Sequence, residues 1–321
     1  MKRALIFLVL LALLIGAGGY WFLWASSGPA EKPQTIIVEQ GSSLARVADQ
    51  LESQGVIPGT ARTFRAMARL LGSQDPIQAG EFQIPAGTSG AQVLDLLQHG
   101  RPMQRLITIP EGTPSIIVFE KLMAEGLLKG DIPVPAEGSV LPDSYSFQRG
   151  ESRAAVLGRM QSAMTRTLDQ LWAKRKPHSV VTSKQDAVTL ASVVEKETGK
   201  PSERRMVAGV YSNRLRIGMK LDADPTVIYP ITKGKPLGRR ILRSELQADN
   251  GYNTYVRAGL PAGPIANPGR ESIAAVLDPE ETQALYFVAD GSGGHIFANT
   301  LAEHNANVAK WYAIRRARGE M

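Results

Sequence analysis

Two glutamates, Glu195 and Glu197, stand at the end of the apolar stretch AVTLASVVEKETGKP, which covers residues 187–201. A carboxyl group can act as a general acid and base if its surroundings raise its pKa toward neutrality. The alternative is a solvated charge cluster that closes a helix, in which both glutamates pair with Lys196 or Lys200. The surrounding sequence has to decide between these two interpretations.

The residues before the two glutamates predict an amphipathic helix. Ser183 fits its N-cap, residues 187–194 carry apolar side chains at helical spacing, and Gly199 and Pro201 end the pattern. Both glutamates therefore lie in the last turn, about 200° apart around the helix, and helical geometry alone does not choose between them. The partial negative charge of a helix C-terminus and an apolar setting each raise the pKa of a glutamate there.

The N-terminus carries the pattern of a membrane anchor. Lys2 and Arg3 precede the uncharged residues 4–24, a stretch long enough to cross a bilayer as a helix, with aromatic residues at its far end. The positive-inside rule predicts a single-pass inner-membrane protein with the rest of the chain in the periplasm. A cleaved signal peptide is the alternative, but the stretch is long and no A-x-A site follows it.

Composition narrows the classes of function. The 321 residues are 43% hydrophobic and 21% charged, which allows about two globular domains. Cysteine is absent, which excludes disulfides and thiol nucleophiles. The net charge of +7 suits several anionic partners, and the predicted anchor favours the membrane and the cell wall over nucleic acid. The four histidines form no metal-binding motif, so we expect no metal and no cofactor.

A strand–turn–helix pattern occurs three times after a polar linker at residues 26–34. IIVEQGSSLARVADQLESQGVI starts at Ile36, a shorter FQIPAGTSGAQVLDLLQHG at Phe82, and ITIPEGTPSIIVFEKLMAEGLL at Ile107. Each copy predicts a short strand, a glycine turn, an N-cap serine or threonine and an amphipathic helix, and neighbouring copies are expected to pack together. The first copy resembles LysM-type modules that hold amino-sugar polymers. Glycan binding and structural spacing are both open, because no cluster of exposed aromatic residues accompanies the copies.

The predicted fold class is α+β. We expect an anchor over residues 1–25, a LysM-like α+β region over residues 35–150, and a mixed α/β catalytic domain over residues 151–321. Residues 131–150 predict a lid or inter-domain loop, and residues 151–175 a helix. Further along, MVAGVYSNRLRIGM predicts a helix, LDADPTVIYP a strand-like tail, ALYFVADGSGGHIFANT a hairpin, and the C-terminus a basic helix.

Four segments resemble the endolytic murein transglycosylases of the YceG-like (MltG) family: ASVVEKETG, SERRMVAGVYSNRLRIGMKLDADPTVIYP, YNTYVRAGLPAGPIANPG and LYFVADGSGGHIFANTLAEHN. The resemblance covers most of the chain, including the anchor and the LysM-like region. It implies that the family's catalytic carboxylate, the second glutamate of E-K-E, is Glu197. The choice of Glu197 over Glu195 rests on this resemblance, and Glu195 is expected to pair with solvent or a lysine.

The activity that the resemblance implies is that of a lyase acting on nascent peptidoglycan. It would cut the β-1,4 bond between N-acetylmuramic acid and N-acetylglucosamine within a strand, leave a 1,6-anhydro end and so terminate elongation. The sugar's own C6 hydroxyl attacks, so Glu197 alone would serve as acid and base without a second carboxylate. Glycan strands and peptidoglycan synthases are the expected partners.

The same segments supply candidate substrate-binding residues with aromatic faces, amides or other polar groups suited to N-acetyl sugars. These are Tyr252, Asn253, Thr254, Tyr255, Asn213, Asp224, Asn267 and His295. Asp224 could instead cap the turn at Pro225. Two other functions stay open: a muramidase that uses water, with Asp222 or Asp224 as base, and a membrane-tethered glycan-binding scaffold for wall synthases.

Overall fold

The chain divides into two units, each with its own core. A computed structural model describes residues 2–320. One unit comprises the residues up to 105 together with 146–151, and the other comprises residues 106–145 with the chain from 152 onward.

The first unit begins with the apolar helix α1 (Lys2–Tyr20), which continues into a π-helical turn, Trp21–Ala25. Among the described residues, Leu5–Ala25 is the one helical stretch long and apolar enough to cross a membrane. Trp24 lies near the end of this apolar stretch and is buried in the first unit, where its ring lies 5.8 Å from that of Phe64. The π-helical turn Trp21–Ala25, and not α1 itself, therefore packs against the rest of the first unit.

Two of the three strand–turn–helix copies form the body of the first unit. Its elements are β1 (Gln34–Val38), α2 (Leu44–Ser53), α3 (Ala61–Leu71), β2 (Gly80–Ile84) and α4 (Gly90–His99). β1 and β2 pair antiparallel with Ile36 opposite Phe82, and the side chains of Ser43 and Ser89 cap α2 and α4. The predicted strands, caps, helices and mutual packing are confirmed for these two copies.

The second unit holds the third copy and a helical assembly. Its elements are β3 (Arg105–Thr108), α5 (Ser115–Ala124), β4 (Ser144–Phe147), α6 (Arg153–Trp172), α7 (Lys184–Glu197), α8 (Arg204–Arg216), α9 (Asp224–Thr232), α10 (Arg243–Leu246), α11 (Arg270–Leu277), β5 (Tyr286–Ala289), β6 (His295–Ala298) and α12 (Leu301–Ala317). The division between the units falls within β3 and β4, which pair with each other. Pro114 stands at the N-cap of α5, where a serine or threonine was expected.

Helix α7 runs through the middle of the second unit. Its residues 187–194 are all buried, and it packs against α8 and α11. Ser183 caps its start by accepting a hydrogen bond from the backbone N–H of Asp186, as predicted. Because its middle is enclosed on every side, the helix is fixed within the core, while its last turn reaches the surface at Lys196.

Two segments differ from the structure that the sequence predicted. The stretch LDADPTVIYP was expected to end as a strand, but residues 224–232 form α9. Pro225 lies in the first turn, where its missing N–H costs nothing, and Thr226 and Val227 pack inward from the helix. Residues 131–150 were expected to form a lid or inter-domain loop. Residues 131–143 are irregular but packed into the second unit, with the Val140 N–H donating to Asn267, and residues 144–147 form the strand β4 instead.

Candidate active site

Glu197 is the last residue of α7, and its carboxyl group has an unusual environment. Burial raises its pKa to about 7, the hydroxyl of Tyr211 opposes that rise with a hydrogen bond, and the negative charge of Asp224 adds to it. Its Oε1 is buried and has no hydrogen-bond partner among the described residues. A carboxyl group with a pKa near neutrality can both give and take a proton at physiological pH.

Tyr211 and Arg214 lie on the same face of α8, three residues apart, and both are buried. Burial and the charge of Glu197 hold the pKa of Tyr211 well above its usual value, so its hydroxyl stays protonated and donates. Arg214 donates to the carbonyls of Leu285 and Leu221 at 2.7 and 2.8 Å, which fixes its guanidinium. The positive charge of Arg214 opposes the rise in the pKa of Glu197.

Asp224 supplies a second carboxylate in a very different setting. It is exposed and lies in the first turn of α9, where the helix dipole favours negative charge. The Tyr255 hydroxyl donates to its Oδ1 at 2.7 Å. Burial raises the pKa of Tyr255 above its usual value, with the Asp224 hydrogen bond as the next cause. The structure therefore brings together Glu197, Asp224 and Tyr255, three of the residues singled out in the sequence.

Glu195 does not pair with solvent or a lysine, so that expectation is wrong. Its side chain is 5% exposed and accepts hydrogen bonds from Arg204 Nη2 at 3.2 Å and from the backbone N–H of Gly269 at 2.9 Å. Arg204 also binds Glu111, in the turn before α5. The chain reverses after α7 and carries Arg204 back to Glu195, a contact between elements that helical periodicity does not reveal.

Four of the candidate binding residues use their polar side chains within the protein. The Asn253 amide donates to three backbone carbonyls at 2.9–3.2 Å, and the Asn213 amide donates to two at 2.8 and 3.0 Å. The Thr254 hydroxyl lies 2.9 Å from that of Thr226. Asn267 is fully buried and bonds Thr113, Ser115 and Val140. These contacts fix the irregular segments around the site.

The remaining candidates, Tyr252 and His295, are half-buried. The Tyr252 ring lies 5.0 Å from that of Tyr229 on α9. His295 Nδ1 lies 2.8 Å from Glu203, whose carboxylate also accepts a hydrogen bond from Thr198, the residue after Glu197. His295 is thus connected to the end of α7 through Glu203. No group of three or more side chains suited to metal binding occurs within residues 2–320.

Sequence reasoning missed Tyr211, Arg214 and Arg204. The i, i+3 spacing of Tyr211 and Arg214 within YSNRLR places them on one helix face, which could have marked them as a pair. A tyrosine on the buried face of a helix is normally part of the core, however, and the pattern alone does not reveal what its hydroxyl contacts. For Arg204 no local signal exists.

The chain belongs to the YceG-like family, whose sequence model matches residues 36–310. It is 27% identical over 341 residues to a Bacillus subtilis (strain 168) protein named endolytic murein transglycosylase, an alignment covering 94% of this chain and 92% of that one. A Streptococcus pneumoniae (strain D39) protein of the same name is 28% identical over 360 residues, covering 95% of this chain and 64% of its own. The crystal structure of the YceG-like protein lmo1499 from Listeria monocytogenes is similar with a TM-score of 0.54 at 26% identity, covering 86% of this chain and 99% of that one.

Proposed function

We propose that this protein is a membrane-anchored lytic transglycosylase that cuts nascent peptidoglycan strands internally, at the β-1,4 bond between N-acetylmuramic acid and N-acetylglucosamine. The observation that carries the proposal is the carboxyl of Glu197: burial raises its pKa to about 7, and its buried Oε1 has no hydrogen-bond partner among the described residues. The names of the bacillar and streptococcal relatives support the same activity.

In the proposed reaction Glu197 donates one proton and then accepts another. Its protonated carboxyl donates to the leaving O4 of N-acetylglucosamine as the C1–O4 bond breaks. The C6 hydroxyl of the muramic acid residue attacks C1 and forms the 1,6-anhydro ring, and its proton returns to Glu197. No water is consumed, and the proton transfers need no second carboxylate, while attack within one sugar gains from proximity.

The neighbouring groups have supporting roles in this reaction. Tyr211 donates to the Glu197 carboxylate in the interval when it is ionised. The exposed carboxylate of Asp224, oriented by Tyr255, stabilises the positive charge that develops at C1. Tyr252 and Tyr255 offer aromatic faces to the sugars. The side chains of Asn213, Asn253, Thr254 and Asn267 act indirectly, by fixing the segments that form the cleft.

The rest of the chain places this chemistry at the cell wall. The anchor Leu5–Ala25 holds the protein in the inner membrane, and Lys2 and Arg3 keep its N-terminus in the cytoplasm, so the catalytic residues face the periplasm. The LysM-like region, within residues 35–150, either holds the glycan or spaces the site from the membrane. Cutting a strand as it emerges from a synthase would terminate its elongation.

A water-using muramidase is the second candidate, because the charge of Asp224 acts on Glu197 and its exposed carboxylate could activate water. Digestion of uncrosslinked strands in ¹⁸O-labelled water separates the two. A transglycosylase leaves unlabelled anhydro ends, whereas a muramidase leaves reducing ends that carry ¹⁸O. A glycan-binding scaffold would leave the strands uncut. Cleavage that depends on Glu197 would therefore exclude scaffolding as the protein's sole function.

A further inference from the structure

A groove of about 510 Å³ lies beside the proposed catalytic carboxyl, and no step of the proposed reaction uses it. The turn before α5, the end of α7, the first turns of α9 and residues 234–237 form its walls. Two of its lining residues, Lys196 and Pro225, are the chain neighbours of Glu197 and Asp224. Because consecutive Cα atoms are about 3.8 Å apart, the backbone at the wall of the groove adjoins the backbone that carries the two carboxyl groups.

The walls of this groove are poorly suited to another sugar. Most lining side chains are apolar, among them Pro114, Ile117, Ile228 and Leu237. The hydroxyl of its threonine, Thr113, already donates to the Pro110 carbonyl at 2.6 Å, and the hydroxyl of Tyr229 contacts Glu137. Sugar hydroxyls need several unoccupied polar groups facing them, whereas methyl groups suit apolar walls.

The charges along the groove leave one lysine available. Glu111 is bound by Arg204, and Lys235 pairs with Glu120 at 2.5 Å. Lys196 pairs with no carboxylate in the part of the chain that the structure describes. Its ammonium reaches the Gly112 carbonyl at 3.5 Å, longer than an ordinary hydrogen bond. Lys196 can therefore receive a carboxylate from a ligand.

We propose that this groove binds the short acidic peptide carried on the lactyl group of muramic acid. The inference rests on the proposed function, since it concerns the same substrate. The lactyl group sits on C3, two ring bonds from the C1 that is attacked, so the peptide leaves the sugar next to the reacting bond. Its alanine methyl groups match the apolar walls, and its carboxylates match Lys196. The groove thus selects strands that still carry their peptides.

Binding of a muramyl peptide to a variant that cannot cleave glycan strands tests the proposed peptide groove directly. Full-length Glu197→Gln protein in detergent micelles is titrated by calorimetry with N-acetylmuramyl pentapeptide and with N-acetylmuramic acid. The peptide-bearing ligand is expected to bind more tightly, and adding Lys196→Gln should weaken it about three- to tenfold. Lys184→Gln is the matched control, because Lys184 pairs with Asp169 at the opposite end of α7.

A second variant tests the groove without touching Lys196. Leu237→Glu places a carboxylate on the apolar wall and should also weaken the muramyl peptide. Equal affinity of the parent protein for both ligands, or equal losses for both in the lysine variant, would overturn the inference and indicate a sugar subsite. Strand cleavage without peptide preference contradicts this inference alone. Peptide binding without any strand cleavage contradicts the proposed function alone.

Discussion

Glu195 accepts a hydrogen bond from the backbone N–H of Gly269 at 2.9 Å. Glu197 follows it two residues later in α7, and Oε1 of its carboxyl group has no hydrogen-bond partner among the described residues. Glu195 also binds Arg204. One glutamate of the E-K-E motif thus connects α7 to the segment around Gly269, whereas the other interacts with Tyr211 and keeps one oxygen without a hydrogen bond from the described residues. The two should respond differently to mutation.

Glu195→Ala should destabilise the protein by about 2–4 kcal/mol. It leaves Arg204 with one carboxylate instead of two and the buried Gly269 N–H without an acceptor. Chemical denaturation of the full chain in micelles measures the loss. Asp169→Ala, which removes an exposed ion pair with Lys184, is the control and should cost less than about 1 kcal/mol. Equal costs would show that the Glu195 contacts do not stabilise the fold.

Asp224→Asn should shift the pH dependence of strand cleavage. The negative charge of Asp224 raises the pKa of Glu197, so its removal lowers that pKa, and the protonated acid is lost at a lower pH. The alkaline limb of kcat/KM is expected to move down by about 0.5–1 pH unit. Asp222→Asn is the control, since Asp222 is not among the groups that shift the pKa of Glu197. An unmoved alkaline limb in Asp224→Asn would contradict the electrostatic coupling.

Glu197→Gln should make stability less sensitive to pH. The pKa of Glu197 rises from 4.5 to about 7 on folding, so the folded state binds its proton more tightly than the unfolded state. This contribution to stability is fully present below pH 4.5 and is lost as the pH rises through 7. Relative to wild type, the glutamine variant should therefore gain up to about 3 kcal/mol between pH 4.5 and pH 8. Unfolding free energies at the two pH values test this, and a constant difference would contradict the raised pKa.

Gly138→Ala should be far more damaging than Gly130→Ala. Both glycines have a left-handed backbone, with φ of 75° and 76°. A Cβ at Gly138 would lie 2.7 Å from Val188 and 2.8 Å from Pro264, whereas one at Gly130 meets nothing within 4 Å. We expect a cost of about 1 kcal/mol at Gly130 from backbone strain and at least about 2–3 kcal/mol at Gly138 from strain and crowding. Thermal unfolding of the two variants gives the comparison, and equal costs would show that residues 131–143 pack loosely.

Much of the fold could be predicted because its signals are local. The apolar N-terminal helix, the capped helix ending at Glu197, the hairpin in which β5 and β6 pair antiparallel, and the strand–turn–helix copies each depend on residues close together in the chain. The prediction of a strand in LDADPTVIYP was wrong because its β-branched residues favour a strand. The proline in the first turn and the burial of Thr226 are compatible with the helix that forms instead.

The site was less predictable because its character comes from contacts between distant segments. The sequence suggested a carboxyl group with a raised pKa but could not distinguish Glu195 from Glu197 without the family resemblance. The two glutamates differ because Arg204 and the Gly269 N–H both donate hydrogen bonds to Glu195. Oε1 of Glu197, by contrast, is buried without a hydrogen-bond partner among the described residues. The internal bonds of Asn253 and Asn267 were equally invisible, since an amide suits a sugar and a backbone carbonyl alike.

The most direct test of the central claim is mass spectrometry of the ends made by wild-type and Glu197→Gln protein on uncrosslinked glycan strands. The substitution keeps the shape of the side chain and removes its transferable proton, so cleavage should fall by at least about 10²–10⁴-fold. The wild-type product should be lighter by one water than a hydrolysed strand, since the C6 hydroxyl replaces water as nucleophile. A fully active Glu197→Gln protein, or reducing ends in place of anhydro ends, would contradict the account.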